Sequence, residues 1–120
     1  MQTVRWSAGY IKVRPGTVQD ELTSDRILTS VTAAYPSDAL GLWRTFADLC
    51  AQTVTSDGLG FKPENVVALA PVQQKEAYEA FLKLPKALKR RWLEALAAAD
   101  GVQDIAVGPE PLAADADPNS

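Results

Sequence analysis

Apolar and polar positions alternate over the opening residues. Val4 and Trp6 lie on one side, Ser7-Ala8-Gly9 intervenes, and Ile11 and Val13 are then set against Tyr10, Lys12 and Arg14. A period of two marks strands with one buried face, so residues 2–14 are expected to form a β-hairpin. Pro15-Gly16 stops the second strand. Thr17-Val18-Gln19-Asp20 offers a capping hydroxyl with an acid at the third helical position, and Glu21 follows at the positive end of the helix dipole, so helix 1 is expected to begin near Val18. It ends before Pro36, with Ile27, Leu28, Val31 and Tyr35 as its apolar face.

Ser37-Asp38 is expected to cap helix 2. There Leu40, Leu42, Trp43, Phe46, Ala47, Leu49, Cys50 and Val54 cover more than half of the helical circumference, leaving Arg44, Asp48 and Gln52 as a polar stripe. Such breadth predicts burial on several sides, so helix 2 is the central element. Ser56-Asp57-Gly58 and Gly60 are expected to end it. Phe61 to Asn65 reads as a loop, and Val66 to Leu69 as a packed connector too short for periodicity to classify. Pro71 suits the first position of helix 3, with Ala77, Tyr78, Phe81 and Leu84 facing inward. Pro85 suits the start of helix 4, because a mid-helix proline costs about 3 kcal/mol. Leu88, Trp92, Ala95, Leu96 and Ala99 form its core face, and Asp100-Gly101 ends it.

The expected fold is therefore mainly α, of the α+β kind: an N-terminal hairpin followed by about four helices around helix 2, in one domain over residues 1–107. At 120 residues and 47% hydrophobic, the chain can bury roughly two thirds of the surface of its unfolded form. Residues 108–120 are rich in Pro, Ala and Asp and hold one large apolar residue, Leu112, so they read as a disordered acidic tail. Neither a secretory pattern nor a long apolar run is present, which makes the cytoplasm the expected location.

Composition removes several chemistries. There is no histidine and only Cys50, so an internal disulfide, a Ser-His-Asp or Cys-His nucleophile and a Cys/His zinc site are all excluded. Asp20, Glu21 and Asp25 spread widely around helix 1, and the first two are accounted for as first-turn dipole partners rather than catalytic or metal carboxylates. Gly58-Leu59-Gly60 lacks the Lys-Ser/Thr of a phosphate loop. Cys50 lies on an apolar face, where a thiol acts as a small hydrophobe. No catalytic residue, metal or cofactor is expected.

The net charge is −3, yet Lys83, Lys86, Lys89, Arg90 and Arg91 fall together with no acid among them. On helix 4, Lys86, Arg90, Leu93 and Ala97 share a second face beside the core stripe. Two roles fit it. With Lys83 it is a partner-binding face, a leucine anchor with a basic rim; otherwise it is a solvated flank whose Leu93 is covered by the hairpin. Nucleic-acid binding fits less well, because Lys89, Arg90 and Arg91 point in three directions and Trp92 belongs to the core. Arg5, Lys12 and Arg14 extend the patch only if the hairpin packs beside helix 4.

Three segments carry a resemblance to a known family: the hairpin leading into Arg14-Pro15-Gly16-Thr17-Val18-Gln19-Asp20-Glu21-Leu22, the Leu42-Trp43-Arg44-Thr45-Phe46 helix, and Phe81-Leu82-Lys83-Leu84-Pro85 followed by Arg91-Trp92-Leu93-Glu94-Ala95-Leu96. In this combination the chain resembles the small tail assembly chaperones of long-tailed bacteriophages. The resemblance implies a non-enzymatic phage or prophage protein of the host cytoplasm. It would bind the tape measure protein, keep its long helices soluble and help recruit tail tube subunits. In many members a ribosomal frameshift near the end of the gene appends a second domain, which would make the acidic tail one of two endings. The resemblance carries over no site residue; Lys83, Lys86, Arg90, Leu93 and Ala97 come from the residue pattern alone. Two other functions are compatible with that pattern. One is an adaptor or antitoxin-like module that self-associates through Leu42, Trp43, Phe46 and Leu49, and the other is a small DNA-associated regulator bent at Pro85.

Overall fold

The computed structural model describes residues 1–36 and 41–102. Strands β1 (Gln2–Trp6) and β2 (Gly9–Val13) form the expected hairpin, with Val4 opposite Ile11 and Trp6 opposite Gly9. Helix α1 (Val18–Ala34) starts and stops where the caps and Pro36 predict, burying Ile27 and Val31. Helix α2 (Trp43–Gln52) is shorter at both ends than expected, with Leu42 as its N-cap. The Ser37-Asp38 cap and Leu40 lie outside the described residues.

Residues Thr53–Asp57 are not the last turn of that helix. They form β3, which adds to the free side of β2 and turns the hairpin into a three-stranded antiparallel sheet in the order β1-β2-β3. The β-branched run Thr53-Val54-Thr55 favours extended backbone. The change of direction is held by hydrogen bonds to carbonyls that a helix end leaves unpaired. The Thr53 hydroxyl donates to the Leu49 carbonyl (2.6 Å), and Arg14 serves the Ala51 and Gln52 carbonyls through its guanidinium (3.2 Å) and its amide (3.1 Å). Lys12 pairs with Thr55 and Val13 with Thr53, so Val54 bulges out of the ladder. The bulge explains why Thr53 and Ser56, three positions apart, both point inward, and why Val54, expected in the core, is exposed.

A 3-10 helix (Pro63–Ala68) forms the packed connector and buries Val66. It leads to α3 (Pro71–Leu82), which does begin at Pro71. Leu84 lies beyond the end of α3 and is half-buried rather than on its inward face. Pro85 stands immediately before α4 (Lys86–Val102), its carbonyl accepting the amides of Leu88 (3.0 Å) and Lys89 (3.2 Å). α4 therefore starts afresh at the proline, and it runs through Asp100-Gly101 instead of stopping there. The expected tail at 108–120, and the residues up to it from 103, lie outside the described part.

α2 is central, packed by α1, α3, α4 and the 3-10 helix. Trp43 stacks on Tyr78 with ring centroids 3.8 Å apart, and Phe46, Phe81 and Trp92 continue the aromatic core. The Trp92 indole N–H donates to the Thr53 hydroxyl (3.3 Å), joining α4 to the helix-to-strand switch. Among the described residues no helix is long and apolar enough to cross a membrane.

Candidate functional site on helix α4 and the elbow before it

α4 divides cleanly by its repeat. Leu88, Trp92, Leu96 and Ala99 are buried against the sheet and α2. Lys86, Arg90, Leu93 and Ala97 are all exposed, on the side turned away from the core rather than beside the core stripe. Leu93 is 37% exposed, so the hairpin does not cover it. Lys83, the last-turn cap of α3, is exposed at the start of the same surface.

The hairpin instead meets the adjacent flank of α4. Arg91 Nη2 donates to the Arg5 carbonyl (2.9 Å), which the alternation of an antiparallel pair places on the unpaired edge of β1. Only the Arg5 backbone meets α4: its side chain alternates with Val4 and Trp6 onto the outer face of the sheet, where its guanidinium lies 6.0 Å from the Tyr10 ring. The other two hairpin cations do not join either. Lys12 alternates with the buried Ile11 and Val13 and so belongs to the outer face of the sheet. Arg14 is committed to Asp20.

Between the hairpin and the elbow of α3 and α4 lies a groove of about 460 Å³. Trp6 and Ala8 form one wall, with Gly58 at the end of β3; Leu84, Pro85, Ala87 and Leu88 form the other, and among the described residues Arg91 is its only charged lining residue. Two close approaches shape it. A Cβ on Gly9 would lie 1.9 Å from the Asp57 carbonyl oxygen, and Gly58 has φ +88° with the Ala8 carbonyl oxygen 2.4 Å from where its Cβ would be. Only glycine lets the hairpin turn lie against the end of β3. The Ser7-Ala8-Gly9 turn was legible in the sequence, but its partner at Gly58 was not, since the two are separated by most of the first half of the chain.

The acids of α1 are distributed, not clustered. Arg14 grips Asp20 through two bonds, Nη1 to Oδ2 (2.7 Å) and Nη2 to Oδ1 (2.6 Å), and the Thr17 amide donates to the same carboxylate (2.8 Å). Burial pushes the Asp20 carboxyl up, but the hydrogen bonds from Arg14 and Thr17 and the Arg14 charge outweigh it and hold the group below its usual value. The bond to Asp20 in turn raises Arg14. Asp25 pairs with Arg44 (2.9 Å) and Glu21 is exposed. Arg44 also donates to the buried Ser24 (3.0 Å), which donates to Asp48 (2.6 Å), so α1 and α2 are clamped by a polar network of structural character.

A second, polar cleft of about 390 Å³ between the start of α1 and α2 is lined by the exposed Glu21 and by three engaged carboxylates: Asp20 is held by Arg14, Asp48 by Ser24, and Asp100 by the Gly16 amide (2.7 Å) and Gln52 (3.1 Å). Among the described residues no group of three or more His, Cys, Asp or Glu is placed to hold a metal. Burial pushes the Cys50 thiol well above its usual value, with Glu64 adding to the shift, so it stays protonated and unreactive. Trp92 is fully buried and presents no face for stacking a base. What the surface of α4 can do chemically is bind. Comparison with protein families, with characterised proteins and with solved structures finds no match to this chain.

Proposed function

We propose that this chain is a non-enzymatic protein-binding module, acting as a tail assembly chaperone of a phage or prophage in the host cytoplasm. It would hold the tape measure protein through the outer row of α4 and help recruit tail tube subunits. The observation that supports binding is the exposed row itself: Leu93 stands open to solvent with Lys86 and Arg90 on the same side, while Lys83 guards the elbow. The placement of the cations strengthens it. The first turn of α4 carries Lys86 and Lys89 and no acid, where the positive end of the helix dipole disfavours cations. Positive charge kept at a position that destabilises the helix is better accounted for by a partner than by folding. An apolar anchor with a charged rim suits a long helical partner, the rim steering association and the anchor supplying affinity. The phage assignment rests on the three resembling segments, which the fold places on the hairpin and α1, on α2, and on the α3–α4 elbow.

The test is an affinity pull-down of the tagged full chain from its native cells, with nuclease treatment and mass spectrometry. A very long helical protein recovered with tube subunits is the expected result, and Lys86→Glu with Arg90→Glu should lose it while leaving the fold intact. A single bacterial partner instead would point to an adaptor. Recovery that disappears with nuclease would point to nucleic acid.

A further inference from the structure

The outer row leaves the elbow groove unexplained, and its chemistry is different. It lies on the flank of α4 turned toward the hairpin, its walls are apolar, and at about 460 Å³ it falls within the roughly 300–1,000 Å³ of ordinary binding pockets. Its surroundings are positive. Arg91 lines it, and Lys83 and Lys86 bracket the Leu84-Pro85 step in one of its walls. No acid occurs from Lys83 to Leu93, and Asp57, next to Gly58, lies 3.9 Å from Lys62. The N-terminus of α4 adds partial positive charge at the same place. This positive spot sits on a chain whose net charge is −3, and its charge favours an acidic occupant.

We propose that the elbow groove receives an acidic segment of a partner protein, seating one large apolar side chain between Trp6 and Leu88 with carboxylates on either side of it. Arg91 uses Nη2 on the Arg5 carbonyl, which leaves the rest of its guanidinium fork for a carboxylate. Lys86 and Lys83 take the charge on the other side of the anchor. A phosphate backbone would match the charge but has nothing to place between apolar walls. The inference rests on the chain being a protein-binding module; the groove shares Lys83 and Lys86 with the outer row but neither Arg90 nor Leu93, so Ala87→Phe and Leu93→Ser tell the two surfaces apart.

The test is selection of a displayed library of random dodecapeptides on the full chain, followed by binding of the synthetic consensus peptide. Selected peptides should share one Leu, Phe, Met or Trp flanked by Asp or Glu. Ala87→Phe, which fills the groove from an exposed position, should weaken the consensus peptide by about tenfold or more, and so should Arg91→Glu. Affinity should also fall as ionic strength rises from about 0.05 to about 0.5 M. Leu93→Ser should leave the peptide bound within about twofold, because it changes no charge and lies on the outer row, away from the residues that line the groove. A neutral or basic consensus, peptide binding indifferent to Ala87→Phe, or no groove-dependent peptide at all overturns the proposal. So does a dimer of the chain that Ala87→Phe dissociates, or a DNA duplex that binds more tightly than the peptide and is lost in the same variant. If native partners depend on the outer-row variant and not on Ala87→Phe, the chaperone proposal stands and the acidic-segment proposal falls.

Discussion

Asp20→Ala should be among the most informative single changes outside the aromatic core. The carboxylate accepts four hydrogen bonds, two from the Arg14 guanidinium and two from the Thr17 amide and hydroxyl. Its side chain is 7% exposed, whereas that of Arg14 is 40% exposed. Breaking a fully buried ion pair costs about 3–5 kcal/mol and an exposed one about 0–1 kcal/mol, so this mixed pair contributes about 1–2 kcal/mol. Losing the capping interaction at Thr17 adds about 1 kcal/mol. The total, about 2–3 kcal/mol, should lower the urea midpoint by about 1–2 M, followed by fluorescence of the buried Trp43 and Trp92. A double-mutant cycle with Arg14→Met should show a coupling of about 1 kcal/mol or more, because the two groups share one contact. The pH dependence has a definite sign. Asp20 titrates lower in the folded state, so its contribution is complete above the ordinary carboxylate pKa of about 4 and is lost as pH falls through the depressed folded value. The difference between the wild-type chain and Asp20→Asn should therefore shrink in strong acid. A cost below about 0.5 kcal/mol, or a gap that stays constant with pH, would refute the assignment of Asp20 as the junction of β2, α1 and α2.

Trp43→Ala should cost about 3–5 kcal/mol in chemical denaturation, since it empties a fully buried site stacked on Tyr78; a loss under about 1 kcal/mol would remove α2 from the centre of the fold. Gly9→Ala should cost about 1–3 kcal/mol or more by driving a methyl group into the Asp57 carbonyl, and amide exchange should show β3 opening first. Lys86→Glu should raise stability by about 0.3–1 kcal/mol by placing an acid in the first turn of α4, while weakening the partner; a destabilised variant would show that Lys86 has a folding role. Leu93→Ser should leave thermal unfolding within about 0.5 kcal/mol of the parent and reduce partner capture in the same pull-down.

The hairpin, the start of α1 and the proline-led starts of α3 and α4 were legible in the chain, because strand alternation, a capping acid and the fixed φ of proline act within a few residues. The apolar stripes at Ile27 and Val31, and at Leu88, Trp92, Leu96 and Ala99, were legible for the same reason, as was the grouping of Lys86, Arg90 and Leu93 on one face of α4, but not that this face turns away from the core and stays open to solvent. What the tertiary structure decided involves groups far apart in sequence. Thr53–Asp57 holds one aliphatic residue and no clean alternation, and becomes a strand because the edge of β2 offers it a ladder, Leu49 and Trp92 offer hydrogen bonds to Thr53, and Arg14 takes the Ala51 and Gln52 carbonyls just before it. Its β-branched run was the one local signal that could have revealed it. Ser24 and Asp20 are buried only because Asp48, Arg44 and Arg14 reach them from other elements. The groove is the extreme case: Trp6, Gly58, Leu84 and Arg91 meet by the packing of three segments, and no periodicity along one chain segment encodes a cavity shared among several.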